Sequence, residues 1–309
     1  MKARLPIIQG GMAVRVSTAR LAAAVASEGG LGVIAGTGLS VQALQEEIRK
    51  ARRLTAGHIG VNILFAASQF AQLVKAAMKE KVDFIVSGAG FSRDIFAWSR
   101  EMKVPVLSMA SSARVAQLAE KLGAAAVIVE GKEAGGHLGT QRSLLSILQE
   151  VVAAVKIPVI AAGGIMNGRQ LARALDAGAQ GVQMATRFVL SEECEAHPNF
   201  KQLVLDSKPE DSVIIDSPVG MPGRALRNRL TEKLAAGETI PVPKCNHCLK
   251  NCTHSFCILD ALQKAVDGDI ENGLVFSGEH FYQAKKIQPV RKILTELNRE
   301  YEEATAAKT

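Results

Sequence analysis

The chain of 309 residues is 48% hydrophobic and 22% charged, so it can bury one large core, and we expect one main domain with an appendage. Its net charge is +7, but the Lys and Arg residues are spread along predicted helices and aromatic residues make up 4%, which argues against a nucleic-acid partner. No apolar stretch reaches the roughly 18 to 20 residues of a membrane span, and no signal-type run follows Met1, so we expect a cytoplasmic protein without a membrane partner.

Short runs rich in Val and Ile predict eight β-strands that alternate with helical segments. The predicted strands are Pro6–Gln9, Gly32–Ala35, Ile59–Leu64, Phe84–Ser87, Val104–Met109, Ala126–Glu130, Val159–Ala162 and Gly181–Met184. The predicted helices between them are Ser17–Ser27, Val41–Arg53, Gln69–Lys79, Ala113–Lys121, Ser143–Val155 and Arg169–Ala177. Eight such units predict an α/β fold, a (β/α)8 TIM barrel. An open doubly wound sheet is the alternative, and the barrel is favoured because Gly-rich and polar residues follow several different strands.

The regular pattern stops beyond Phe188. Four prolines follow between residues 198 and 222, and a cysteine cluster comes after them. We therefore predict a barrel core over residues 1–197 and an appended region over residues 198–309. The appended region is partly helical up to Gln288, and a polar helix over Val290–Ala304 follows it.

Two early strands lead into residues that suit a flat ligand. Gly11 lets the backbone come close to such a ligand, and Met12 could lie against an aromatic ring, although a turn with a core Met explains the pair equally simply. Asn62 stands in an apolar strand, where its amide needs hydrogen-bond partners. A structural Asn and a cofactor-binding Asn both remain open at this point.

The loop after the sixth strand carries the strongest chemical signal. It begins at Glu130, and His137 follows Gly135 and Gly136 within it. Packing is a poor explanation for a histidine among glycines, whereas its pKa suits proton transfer and the glycines leave room for a substrate. We therefore predict that His137 is the catalytic residue, with an ordinary surface histidine as the alternative.

The loops after the seventh and eighth strands are typical of a phosphate site. Such loops in barrels often bind phosphate through backbone N–H groups. Gly163 and Gly164 would bring the backbone close in the first loop, and Thr186 can add a hydroxyl in the second. Together they predict a cofactor that carries a phosphate.

These motifs resemble the nitronate monooxygenase family, formerly the 2-nitropropane dioxygenases, which includes flavin-dependent enoyl-acyl-carrier-protein reductases. The resemblance runs from Pro6 to about Asn228 and rests on Gln-Gly-Gly-Met, Gly-Val-Asn, Glu-Ala-Gly-Gly-His-x-Gly, Ala-Gly-Gly-Ile and Gln-Met-Ala-Thr-Arg-Phe. It implies an FMN in the mouth of the barrel and His137 as the catalytic or substrate-orienting histidine. The cofactor-binding residues that it implies are Gly11, Met12, Asn62, Glu130, Gly135, Gly163, Gly164, Gln183, Met184, Ala185 and Thr186.

The sequence departs from the family pattern at two of these positions. Glu130 stands where many nitronate enzymes have Gln, and Ala185 replaces a common Gly. The first departure resembles the enoyl reductase branch.

The resemblance implies an FMN-dependent oxidoreductase with a small-molecule substrate, and it leaves three functions to compare. The first, and the one that we predict, is oxidation of alkyl nitronates with dioxygen; the other two are alternatives. The second is reduction of an enoyl thioester, in which NAD(P)H serves as co-substrate. The third is a non-catalytic redox-sensing module, which has little reason to keep the His137 loop. A homodimer is compatible with all three.

The appended region contains four closely spaced cysteines. Cys245, Cys248, Cys252 and Cys257 fall within 13 residues. In a chain without an export signal, this clustering favours metal ligation over disulfides. We predict an iron–sulfur cluster or a zinc ion there, with free cysteines as the alternative.

Overall fold

The structure, a computed structural model, describes residues 4–88, 90–242 and 244–307. The expectation that no signal segment begins at Met1 rests partly on residues 1–3, which lie outside the described residues. None of the helices described is both long and apolar enough to cross a bilayer.

Eight strands of the described chain form one parallel sheet, and the short strand β7 Gly136–His137 belongs to a separate sheet described below. The sheet strands are β1 Ile7–Gln9, β2 Gly32–Ala35, β3 Ile59–Leu64, β4 Phe84–Gly88, β5 Val106–Ala110, β6 Ala126–Glu130, β8 Val159–Ala162 and β9 Gly181–Met184. Their order is β1-β9-β8-β6-β5-β4-β3-β2, so the two ends of the order are consecutive in the chain. All eight agree with the predicted strands to within two residues at each end.

Hydrogen bonds across the last gap close the sheet into a barrel. Ile8 bridges Leu31, the residue before β2, in parallel. The Leu31 N–H donates to the carbonyl of Ile7 at 2.9 Å, and the Gln9 N–H donates to the carbonyl of Leu31 at 2.9 Å. The predicted TIM barrel is therefore confirmed.

Helices alternate with these strands on the outside of the barrel. They are α1 Ala19–Ser27, α2 Val41–Leu54, α3 Phe70–Lys79, α4 Asp94–Met102, α5 Ala113–Leu122, α6 Leu144–Ala154 and α7 Gly168–Asp176. Of these, α4 was not predicted. It buries only Ile95 and Phe96, which is too weak an apolar stripe for the periodicity to reveal.

Alternate strand residues fill the inside of the barrel. Ile8, Val33, Val86, Ile128 and Ile160 belong to one buried cluster, although they lie on five different strands. Their sequence neighbours point the other way and pack against the helices, because successive side chains of a strand face opposite sides. This alternation decides which strand residues can reach the open end of the barrel.

The region after β9 builds a second, smaller unit over the barrel mouth. It contains β10 Ser212–Asp216, β11 Pro222–Leu226, α10 Arg229–Ala235 and α11 Ile258–Val266, which share a small apolar core. Helices α8 Thr186–Val189 and α9 Pro198–Asp206 instead bury their apolar side chains in the barrel core. Strand β7, Gly136–His137, joins β11 in antiparallel pairing. A barrel loop is thus a strand of the appended sheet.

The last helix, α12 Val290–Ala306, returns to the barrel and packs against α7 and α1. Its buried side chains are Val290, Ile293, Leu294 and Leu297. Close to it, the Gly168 N–H donates to Glu300 Oε2 at 2.7 Å. The helix therefore completes the outer layer between the seventh helix and the first. The division of the chain at residue 197 stays a prediction. Helix α12, which belongs to the predicted appended region, packs against barrel helices.

Candidate active site

A cavity of about 900 Å³ opens at the carboxyl ends of the barrel strands. Three polar side chains reach it from the inward faces of strands, namely Asn62 on β3, Glu130 on β6 and Gln183 on β9. The outward neighbours of these residues pack against helices. The carboxyl end of such a barrel is where its loops build catalytic sites.

His137 lies on the wall of this cavity, held by the appended sheet. It pairs with Gly223 of β11, and its ring meets Phe276 edge-on, with 5.3 Å between the ring centroids. Its Nε2 lies 2.8 Å from the hydroxyl oxygen of Ser217. Burial lowers the pKa of His137 to about 4, so the imidazole is neutral at pH 7.

The same cavity shifts the pKa of Glu130 upward, in the opposite direction to the shift of His137. Its side chain lies at the end of β6, half-buried against the cavity. Burial raises the pKa of Glu130 to about 8, because the charged carboxylate loses its hydration. At neutral pH the carboxyl group therefore holds its proton and can donate a hydrogen bond.

Two buried acceptors facing the cavity lack a hydrogen-bond partner among the described residues. They are Asn62 Oδ1 and Gln183 Oε1. The other end of the Asn62 amide is used, because Nδ2 donates to the carbonyl of Gly11 at 3.2 Å. Buried polar groups are normally paired, so both oxygens suit a ligand with N–H or O–H donors. FMN offers donors of this kind in the N3–H of its ring and the hydroxyl groups of its ribityl chain.

Glycines keep the wall close to these acceptors. A side chain at Gly11 would overlap Asn62. A Cβ at Gly135 would lie 2.5 Å from the carbonyl carbon of Ser277 and 2.6 Å from the nitrogen of Gly278. The two positions therefore need glycine on steric grounds, and both of them, with Met12, line the cavity.

At the end of β9 and in the loop after it, some side chains line the cavity and others pack in the core. Ala185 and Thr186 line the cavity, and Thr186 Oγ1 accepts the N–H of Gly278 at 2.9 Å. Met184 does not line it, because its side chain is 1% exposed and packs toward the helices. The strand alternation that turns Gln183 inward turns Met184 outward. Only the Met184 carbonyl faces the first loop, where it accepts the Gly10 N–H at 2.8 Å.

Gly163 and Gly164 are placed beside the cavity rather than on its wall. Both have positive φ, +106° and +70°, which explains why glycine occupies them. The Gly164 carbonyl lies 2.8 Å from His280 Nδ1, and a Cβ at Gly164 would also meet Glu133. Their predicted contact with phosphate stays a prediction.

The four clustered cysteines are free thiols along a small cavity of about 180 Å³. In the part of the chain that the structure describes, no three potential ligands are arranged to hold a metal ion, so the predicted metal centre has no support. The thiols belong to differently anchored segments. Cys257 is the N-cap of α11, whereas the Cys248 carbonyl accepts the N–H of Ser68 in the loop after β3. Burial raises the pKa of Cys248, and the neighbouring thiols, Cys257 first among them, raise it further.

Sequence reasoning did not identify Ser217 or Phe276, which contact His137. Ser217 is 80 residues from His137 along the chain, and strand pairing in the appended sheet brings them together. A serine near a proline carries no pattern that predicts such a contact.

A family model, relatives of known sequence and a solved structure all match this chain over most of its length. The family model for nitronate monooxygenase matches residues 1–73 and 65–300. A 5-hydroxy-7a-methyl-1-oxo-octahydro-1H-indene-4-carboxyl-CoA dehydrogenase of Mycobacterium tuberculosis is 36% identical over 75% of the chain, which spans 66% of that relative's length. A probable nitronate monooxygenase of Staphylococcus aureus is 30% identical over 75% of the chain and 78% of its own. FabK from Thermotoga maritima superposes with a TM-score of 0.88, at 33% identity over 99% of the chain and 95% of its own.

Proposed function

Because the chain belongs to the nitronate monooxygenase family, whose model spans most of it, we propose that it is an FMN-dependent oxidoreductase acting on an acyl thioester. The reaction is the reduction of a carbon–carbon double bond next to the thioester carbonyl. NAD(P)H and one proton are consumed, and NAD(P)⁺ and the saturated thioester are produced. When bound, FMN would supply the hydride-transfer chemistry.

The residues on the cavity wall fit a flavin. Asn62 and Gln183 offer unpaired acceptors to the ring N3–H and ribityl hydroxyl groups of FMN, and Gly11 and Gly135 leave the space that a flat ring needs. Ala185 and Thr186 would hold the phosphate end, where a hydroxyl and backbone N–H groups suit an anion.

The observation that carries the thioester assignment is the size of the cavity and its apolar wall. Apolar side chains from the barrel and from the appended region line the cavity of about 900 Å³, among them Leu64, Val115, Leu262, Leu274 and Phe276. A small nitronate beside the flavin would leave much of this surface without a contact, whereas an acyl chain would bury it. The Mycobacterium tuberculosis relative is named a dehydrogenase of a carboxyl-CoA, which is a thioester.

Oxidation of alkyl nitronates is the second candidate. It is supported by the name of the matching family model and by the Staphylococcus aureus relative. The same cavity, flavin and His137 would serve it.

Anaerobic stopped-flow spectroscopy of the purified, yellow protein tests the proposal. We expect NADH or NADPH to bleach the flavin, and trans-2-octenoyl-CoA or the matching pantetheine thioester to restore its colour. If propyl-2-nitronate bleaches the flavin and neither nicotinamide does, the nitronate function replaces the thioester function. Release of FAD, or of no flavin from folded protein, would refute both.

The His137→Ala variant completes the experiment. It should keep its flavin and lose turnover by roughly 10²- to 10⁴-fold, as expected for a lost proton donor or acceptor. The exposed His254 lies outside the large cavity, so His254→Ala is the matched control and should keep full turnover.

A further inference from the structure

The contact between His137 and Ser217 decides which ring nitrogen carries the proton. Ser217 lies in the turn between β10 and β11 and is 3% exposed. Its hydroxyl oxygen is 2.8 Å from His137 Nε2 and also accepts the N–H of Val219 at 3.3 Å. The hydroxyl proton needs an acceptor, and within the described ranges Nε2 is the partner that the hydroxyl has for it.

Donation from Ser217 requires Nε2 to be unprotonated. Burial lowers the pKa of His137 to about 4, so the ring is neutral and its single proton must then lie on Nδ1. The reverse arrangement would leave the buried Ser217 proton unpaired, which is unfavourable. Nδ1 has no hydrogen-bond partner in the ranges described, and His137 lines the large cavity, so the Nδ1 proton is left for a group in that cavity.

We propose that Ser217 is a positioning residue that fixes His137 as the Nδ1–H tautomer, so that the histidine presents a hydrogen-bond donor to a substrate oxygen. The identity of that oxygen, a thioester carbonyl, rests on the proposed function, whereas the tautomer does not. A protonated Nδ1 cannot remove a proton from the carbon of a neutral nitroalkane. His137 therefore polarises an oxygen that its substrate already carries.

Nitrogen NMR of the flavin-loaded protein, labelled with ¹⁵N-histidine, reads the tautomer directly without substrate. The six histidines are separated by difference against His137→Asn. At pH 7 we expect the His137 Nε2 signal in the unprotonated range and its Nδ1 signal in the protonated range. Ser217→Ala should give a mixture of tautomers, and Ser217→Thr, which keeps the hydroxyl, should restore one. A protonated Nε2 in the wild type, or a tautomer unchanged in Ser217→Ala, overturns the proposal.

Kinetics provide the second readout. Ser217→Ala should lower kcat by about 2- to 10-fold with little change in KM, because in a mixture of tautomers only part of the enzyme carries the donor proton on Nδ1. Ser217→Thr should recover most of the loss. Ser212→Ala is the matched control, because Ser212 lies in the same hairpin and binds Arg224 instead of His137. Wild-type kcat in Ser217→Ala would also overturn the proposal. The expected tautomer without thioester turnover would refute the proposed function alone.

Discussion

The same cavity shifts the pKa values of His137 and Glu130 in opposite directions. Burial removes water from both, which favours the neutral imidazole of His137 and the neutral carboxyl group of Glu130. Between about pH 4 and pH 8 neither residue is ionised. The cavity can therefore offer proton donors to a substrate without placing either of these charges beside it.

The raised pKa of Glu130 predicts a dependence of stability on pH. An unfolded Glu has a pKa of about 4.3, so between that pH and about 8 the folded state binds a proton that the unfolded state has lost. This contribution to the free energy of unfolding therefore falls as pH rises through the window, and it levels off above about 8. Glu130→Gln lacks the titrating group.

Urea unfolding of both proteins at pH 5 to 9 provides the measurement. We expect the stability of Glu130→Gln relative to wild type to increase with pH up to about 8 and then stay constant. Parallel curves for the two proteins across this range would show that Glu130 is ionised in the folded state.

The segment before α11 is a small structural element over the cavity. Leu249 bridges Ala67, and the Lys250 N–H donates to the carbonyl of Ala66 at 2.9 Å. The Lys250 ammonium lies 3.6 Å from the centre of the Phe65 ring. Residues 246–249 also line the large cavity, so these contacts position part of its wall.

Removing the charge of Lys250 should loosen this segment. A cation–π contact contributes about 0.5 to 2 kcal/mol, so Lys250→Met should speed amide hydrogen exchange of residues 246–250 by roughly 2- to 30-fold. Lys75→Met is the control, because Lys75 lies 4.7 Å above Trp98 on the outer layer. Exchange in residues 246–250 that is equally fast in wild type and Lys250→Met would show that the backbone contacts suffice.

The elements that the sequence predicts well are those whose signal is local. Continuous apolar runs place each barrel strand, because a strand buried on both faces needs no polar residue. The glycines around His137 likewise indicate a candidate catalytic loop without any knowledge of its partners. Ser217 escapes prediction because its role depends on the pairing of β7 with β11, which joins distant segments. Met184 was predicted to lie with Gln183 beside the cofactor, and strand alternation turns its side chain into the core, so its predicted contact with the cofactor stays a prediction for the backbone alone.

At the scale of the whole molecule, the sequence predicts helix α12 but not where it packs in the fold. The pattern of α12 shows a polar helix, whereas its packing against α7 and α1 follows from the gap between these helices in the outer ring. The appended region and the barrel are consequently joined twice, through α12 and through the pairing of β7 with β11.

This double connection predicts that the molecule unfolds as one unit. Ile293 is fully buried, so Ile293→Ala should lower the free energy of unfolding by about 2 to 5 kcal/mol. Far-UV circular dichroism and the fluorescence of Trp98 should still report a single, coincident transition. The exposed Lys292 is the control, since Lys292→Ala should change stability by less than about 0.5 kcal/mol. An Ile293→Ala protein that loses helix signal while its barrel melts as before would show that α12 is independent.

The placement of α12 also bears on how the chain is made. Strands β1 to β9 all lie before residue 185, yet the helical ring around them stays open between α7 and α1 until α12 has been translated. Until α12 has been made, the apolar barrel surface that Ile293, Leu294 and Leu297 cover in the folded protein would be exposed to solvent. We therefore expect the barrel to be fully covered only after α12 has been made, and until then its uncovered apolar surface would suit a chaperone that binds such surfaces.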